Sequence, residues 1–127
     1  MMALDTSALM AIVLGEPEAD VCIEILAAES EIVISAGTLA EALIVAGRRN
    51  VAEEMRRLID GLGVDVVPVT EAAARRVAQA YRRWGKGLHP AGLNFGDCFA
   101  YEIAKARTCP LLHIGEDFAR TDVESVR

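Results

Sequence analysis

The 127-residue chain is short of the residues that several common chemistries require. Its three cysteines, Cys22, Cys98 and Cys109, form no Cys-x-x-Cys pair and lie in apolar surroundings. An odd count of this kind implies reduced core thiols in a cytoplasmic chain, not a disulfide framework. The two histidines, His89 and His113, have no cysteine partners at ligand spacing, which argues against zinc. His113 falls inside an apolar run and is expected in the core. The N-terminus has no basic region, and its apolar stretch, Ala8 to Leu14, is far shorter than the ~20 residues of a bilayer span. Neither a signal peptide nor a membrane helix is expected. Basic residues are also scarce: 13 stand against 19 acidic ones, for a formal charge of −6. That balance excludes a protein that holds nucleic acid by bulk positive charge, because cations must replace the counterions on phosphate. Nucleic acid would have to be met by a local basic patch or through metal ions.

Apolar side chains, by contrast, are plentiful at 53% of the chain, enough for a core in one domain over residues 1–127. Disorder is therefore excluded as the main state. Met2-Ala3-Leu4 reads as a short apolar start. Asp5-Thr6-Ser7 then caps a first helix, and Gly15 and Pro17 stop it and restart a second, Pro17 to Ala28. Glu31 to Ser35 reads as a buried strand, and Gly37-Thr38 opens the next helix. Asn50 is expected to cap a helix ending at Leu62-Gly63, and Val64 to Val69 reads as a second buried strand. Thr70 starts a helix through Trp84. After a loop come an amphipathic helix, Phe95 to Arg107, and a last strand, Pro110 to Ile114. Alternating strands and helices imply an α/β fold with a mostly parallel sheet, whose ligand sites gather at the carboxyl ends of the strands.

Four acids fall at that edge. Asp5 ends the first strand, Glu41 lies in the helix after the second, Asp97 in the first turn of the Phe95 helix, and Asp117 three residues past the last strand. Each has a simpler reading: Asp5 as an N-cap, Asp97 as a first-turn acid favoured by the helix dipole, Asp117 as the cap of a short turn. Glu41 is harder to dismiss, since it is the lone charge among Leu39, Ala40, Ala42, Leu43 and Ile44. Like charges ~5 Å apart repel by roughly 3 kcal/mol per pair at an effective dielectric of about 20. If the four converge, a hard divalent cation such as Mg²⁺ or Mn²⁺ neutralises them while keeping oxygen ligands.

The segments LDTSAL, TLAEAL, LNFGDCFAYEIAKA and LLHIGEDFARTDV, in this order over nearly the whole chain, resemble a PIN-domain ribonuclease, and within that family the VapC toxins of toxin–antitoxin modules. The resemblance implies a PIN fold with a central sheet of four or five strands flanked by helices on both faces. It implies one or two Mg²⁺ or Mn²⁺ ions on Asp5, Glu41, Asp97 and Asp117, with Thr6 or Ser7 as a nearby hydroxyl and Asn94 as a polar neighbour. Glu116 and Asp122 compete with Asp117 for the place of the fourth acid. The implied reaction is metal-assisted hydrolysis of single-stranded RNA, and the implied partners are a cognate antitoxin and a second copy of the chain in a homodimer. Ala8 to Leu14 and Pro17 to Ala28 are candidate dimer helices, with burial in the monomer core the alternative.

From Ala72 to Gly96 there is no acid, while Arg75, Arg76, Arg82, Arg83 and Lys86 recur at helical spacing, opposite Ala74, Val77, Ala78, Tyr81 and Trp84. This stripe is expected to contact RNA backbone, with His89 or Trp84 stacking on a base; a solvated helix face is the alternative. Three other functions compete with this one. A phosphoacceptor domain needs an acidic pair at the first strand and a late lysine, but Asp5 stands alone and Lys105 is mid-helix. A haloacid-dehalogenase-type phosphatase needs a second Asp where Ser7 stands. A catalytically silent PIN domain remains as a binding module.

Overall fold

Four short strands, all parallel, form the centre of the computed structural model, which describes residues 1–126. They are β1 (Met2–Leu4), β2 (Ile32–Ser35), β3 (Asp65–Val67) and β4 (Leu111–Leu112), in the spatial order β3-β2-β1-β4. Met2 pairs with Ile32, Ala3 with Leu111, and Val33 with Asp65. The first and last strands of the chain are thus neighbours, β1 inside the sheet and β4 at one of its edges.

Six helices cover the sheet: α1 (Thr6–Val13), α2 (Ala19–Ala28), α3 (Ala36–Arg48), α4 (Ala52–Leu62), α5 (Glu71–Trp84) and α6 (Phe95–Ala106). A 3-10 turn spans Phe118–Arg120. Ala3 and Val33 point into one core with Val77, Trp84, Ala100 and Leu111, from α5, α6 and the sheet. Leu4, Ile32 and Ile34 point into the other with Leu9, Leu26, Ala46 and Met55, from α1 to α4. Alternate residues of a strand face opposite ways, so buried strands between two helical layers are apolar throughout.

Several expectations are corrected by this arrangement. Val64 to Val69 is not a buried strand: only residues 65–67 pair, Asp65 and Val66 are exposed, and β3 is the sheet edge. Only Leu111–Leu112 of the last expected strand pairs within the sheet. Asn50 is not the cap of α4; it takes a positive φ of 59°, and Val51 holds the cap position without a side-chain bond. Asparagine tolerates the left-handed region, so it serves there as the turn between α3 and α4. Pro17 lies in a turn, and α2 starts two residues later. Of the candidate dimer helices, α1 buries Ala8, Leu9, Met10 and Ala11 in its own monomer, while α2 leaves Val21 and Ile23 exposed. The three cysteines are buried, and His113 is buried with Nε2 2.7 Å from Ser125 Oγ, as expected of core residues.

Candidate active site

At the carboxyl edge of the sheet, β1 runs directly into Asp5, whose backbone N–H donates to Leu112 O at 3.0 Å. Asp5 is the N-cap of α1: Oδ2 accepts from the Ser7 N–H at 3.0 Å and from Ser7 Oγ at 2.6 Å. Its other oxygen, Oδ1, is buried without a hydrogen-bond partner, and the residue is only 4% exposed. The capping reading therefore accounts for one oxygen of two. Ser7 Oγ also accepts from the Ile114 N–H at 2.9 Å, which ties the segment after β4 to the start of α1.

Glu41 is half-buried on α3, and its Oε1 accepts from Thr6 Oγ at 2.6 Å. It lies against the first turn of α6, where a Cβ on Gly96 would collide with Glu41 Oε2. Gly37 is the reciprocal case, since a Cβ there would meet the Phe99 ring. These two glycines set the close approach of α3 and α6, and neither was singled out for it from the sequence. The available signal was a glycine at a helical position, which costs up to about 1 kcal/mol against alanine unless a close contact needs it.

Asp97 is 9% exposed and forms a capping box with Asn94: Asp97 N–H donates to Asn94 Oδ1 at 2.8 Å, and Asn94 N–H to Asp97 Oδ2 at 3.0 Å. Its pKa is pushed up to about 7. Burial is the main cause, opposed by the Asn94 N–H and reinforced by the charges of Asp5, Asp117 and Glu41. Asp5 is raised by burial and by Asp117 against its bonds from Ser7 and Thr6, and Glu41 by burial and by Asp5 against its bond from Thr6. These four acids thus sit within electrostatic reach of one another. Among the described residues none of them is ion-paired with a basic side chain.

The competitors for the fourth place lie elsewhere. Asp122 Oδ1 accepts from Tyr101 Oη at 2.5 Å, and its Oδ2 lies 3.4 Å from Lys105 Nζ and 3.6 Å from Arg83, which hold its pKa low. Glu116 is exposed and lines a cavity with Glu18 and His113. Cys98, beside Asp97, is pushed up to about 11 by burial and the Asp97 charge, so it is no thiolate nucleophile at neutral pH.

The basic stripe is largely engaged within the chain. Arg75 pairs with Glu71 at 2.8 Å, Arg76 with buried Glu102 at 2.9 Å, and Arg83 with Asp122. Arg82 and Lys86 make no ion pair among the described residues. Trp84 is buried; its indole N–H donates to Tyr101 Oη at 3.0 Å, His89 stands edge-on at 4.7 Å, and Arg83 covers its face at 4.5 Å. The expected base-stacking by Trp84 is thereby overturned. Ala74, Ala78 and Tyr81, expected on the face opposite the arginines, line an open groove together with Arg82.

Carboxylates gathered at the strand ends and helix starts of a parallel α/β domain, with no cation of the chain paired to them among the described residues, form a candidate oxygen-ligand site. The sequence matches the family model described as PIN domain over residues 2–124. Ribonuclease VapC36 of Mycobacterium tuberculosis is 43% identical over 127 residues, covering 97% of this chain and 91% of the relative; Ribonuclease VapC42 of the same species is 42% identical over 126 residues, covering 96% of both. Among solved structures, the sarcin-ricin loop cleaving toxin VapC20 of M. tuberculosis superposes with a TM-score of 0.82 at 17% identity, over 100% of this chain and 99% of that one. A toxin-antitoxin complex from Klebsiella pneumoniae gives 0.73 at 19% identity, over 96% and 93%. The chain belongs to the PIN-domain family, among its VapC ribonucleases.

Proposed function

We propose that this protein is the toxin of a toxin–antitoxin pair and a metal-dependent endoribonuclease, which cleaves single-stranded RNA at Asp5, Glu41, Asp97 and Asp117. The observation that carries the reading is Asp5 Oδ1, a buried carboxylate oxygen without a partner, among three other acids that no cation of the chain neutralises. Burial without a compensating partner is costly, and an all-oxygen donor set suits Mg²⁺ or Mn²⁺. Among the described residues no group of three or more His, Cys, Asp or Glu is placed as a closed ion-holding cluster; Asp5, Glu41, Asp97 and Asp117 are the residues that would hold one or two ions.

When bound, the cation supplies Lewis acidity toward water and phosphate. The chain's own residues do the rest. Ser7 fixes Asp5 Oδ2, and Asp5 Oδ1 with Glu41, Asp97 and Asp117 would hold the ion. Thr6 orients Glu41, and the Asn94 N–H orients Asp97, whose pKa of about 7 leaves it partly protonated at neutral pH in the metal-free protein. Arg82 and Lys86, with the partly engaged Arg75, Arg76 and Arg83, provide the local positive surface for RNA phosphates. An antitoxin segment with a basic side chain would complement the same acids, and a homodimer fits the apolar surface left open on the monomer.

Incubation of the purified protein with single-stranded RNA, with and without Mg²⁺ or Mn²⁺, tests the reading. Cleavage is expected only with metal and is expected to be lost in Asp97→Asn. Metal-independent cleavage, or full activity of that variant, would overturn it.

A further inference from the structure

The exposed aromatic surface lies beside the acids, not around Trp84. Between α5 and the start of α6 runs a groove of about 540 Å³, lined by Val69, Ala78, Tyr81, Arg82, Phe95 and Phe99. Phe95 is 70% exposed, although it is one of only three phenylalanines in the chain. Phe99 meets it edge-on, with ring centroids 4.9 Å apart and planes at 83°, so the ring is steadied from its edge. Phe99 in turn rests on the bare backbone of Gly37. The platform is built, and it shares the first turn of α6 with Asp97.

We propose that this groove seats one unstacked base of the single-stranded RNA on Phe95, with Arg82 at its rim holding an adjoining phosphate. The inference rests on the nuclease reading above. Three features select a nucleotide as the occupant. The walls are apolar and aromatic, as base stacking requires. The rim carries Arg82, a cation with no ion pair among the described residues. The groove adjoins the acids through Phe99, whose ring packs on Gly37, one helical turn from Glu41 on α3. An acidic or purely apolar ligand would satisfy one of these features and waste another. Phe95 is thus assigned as a substrate-positioning residue.

The test uses the full chain and a single-stranded oligoribonucleotide carrying 2-aminopurine, whose fluorescence falls on stacking. Wild type is expected to quench the probe and Phe95→Trp to retain the quench. Phe95→Ala and Phe95→Leu are expected to abolish the quench and to raise KM by ~10-fold, with kcat changed far less. Equal KM and quench in wild type and Phe95→Ala would overturn the proposal. So would Phe95→Leu restoring activity together with a dimer that Phe95→Ala loses in sedimentation, because the groove would then be filled by a second copy. If wild type quenches the probe through Phe95 but never cleaves with metal, the nuclease reading fails and base binding stands. If cleavage is normal and independent of Phe95, base binding fails alone.

Discussion

Asp97 has a pKa of about 7 in the folded protein against about 4 for an unfolded aspartate, and the sign of its effect on stability follows. The folded state binds the extra proton between about 4 and 7, so the metal-free protein is expected to lose stability as pH rises through that window and then to level off. Asp5 and Glu41, raised in the same direction, add to the slope. Asp97→Asn should flatten the profile measured by thermal melts at pH 5 and pH 8. Mg²⁺ should raise the melting temperature of wild type at pH 8 and not that of the variant. Gly96→Ala makes the opposite separation. The new Cβ meets only the mobile end of Glu41, while alanine favours the helix, so urea stability is expected to hold within about 1 kcal/mol while metal-dependent cleavage falls at least ~10-fold. Asp5, Glu41, Asp97 and Asp117 were legible from the sequence because strand ends and helix starts share one edge. Gly96 and Gly37 were not, because their contacts join helices more than fifty residues apart.

At the scale of elements, α5 and the C-terminal segment are held to α6 by one chain of polar contacts, from the Trp84 indole through Tyr101 Oη to Asp122. Tyr101→Phe removes the hydroxyl and leaves the buried indole N–H without its acceptor, at a cost of about 1–3 kcal/mol in urea unfolding. Because none of these groups touches the four acids, kcat is expected to change little. The helices were readable from their caps and apolar spacing: Thr70 caps α5 and Asn94 caps α6 through their side chains. The strands were less so. Val-Asp-Val-Val reads as buried by composition, yet a sheet's edge is decided by the order of its strands, which local sequence does not encode. How far the apolar face of α5 is covered is undecided by local sequence for a related reason. The apolar side of α5 is wider than the core it covers, and its excess opens onto the groove.

At the scale of the whole molecule, the charge of −6 says little about which cations are available to phosphate. Within the basic stripe Arg75, Arg76 and Arg83 each answer a carboxylate of their own chain, which leaves Arg82 and Lys86 as its cations without an ion pair among the described residues. Arg82→Ala is therefore expected to reduce the salt slope of RNA binding by about one, and Arg75→Ala to leave it nearly unchanged, in anisotropy titrations from low to moderate salt. The placing of β1 between β2 and β4 has a consequence during synthesis. The first strand made waits for the last: Asp5 N–H finds its acceptor on Leu112, and Ser7 receives the Ile114 N–H, only once residues 112–114 have been made. A nascent chain that stops before Leu112 leaves the start of α1 without these partners, however complete its first three strands are.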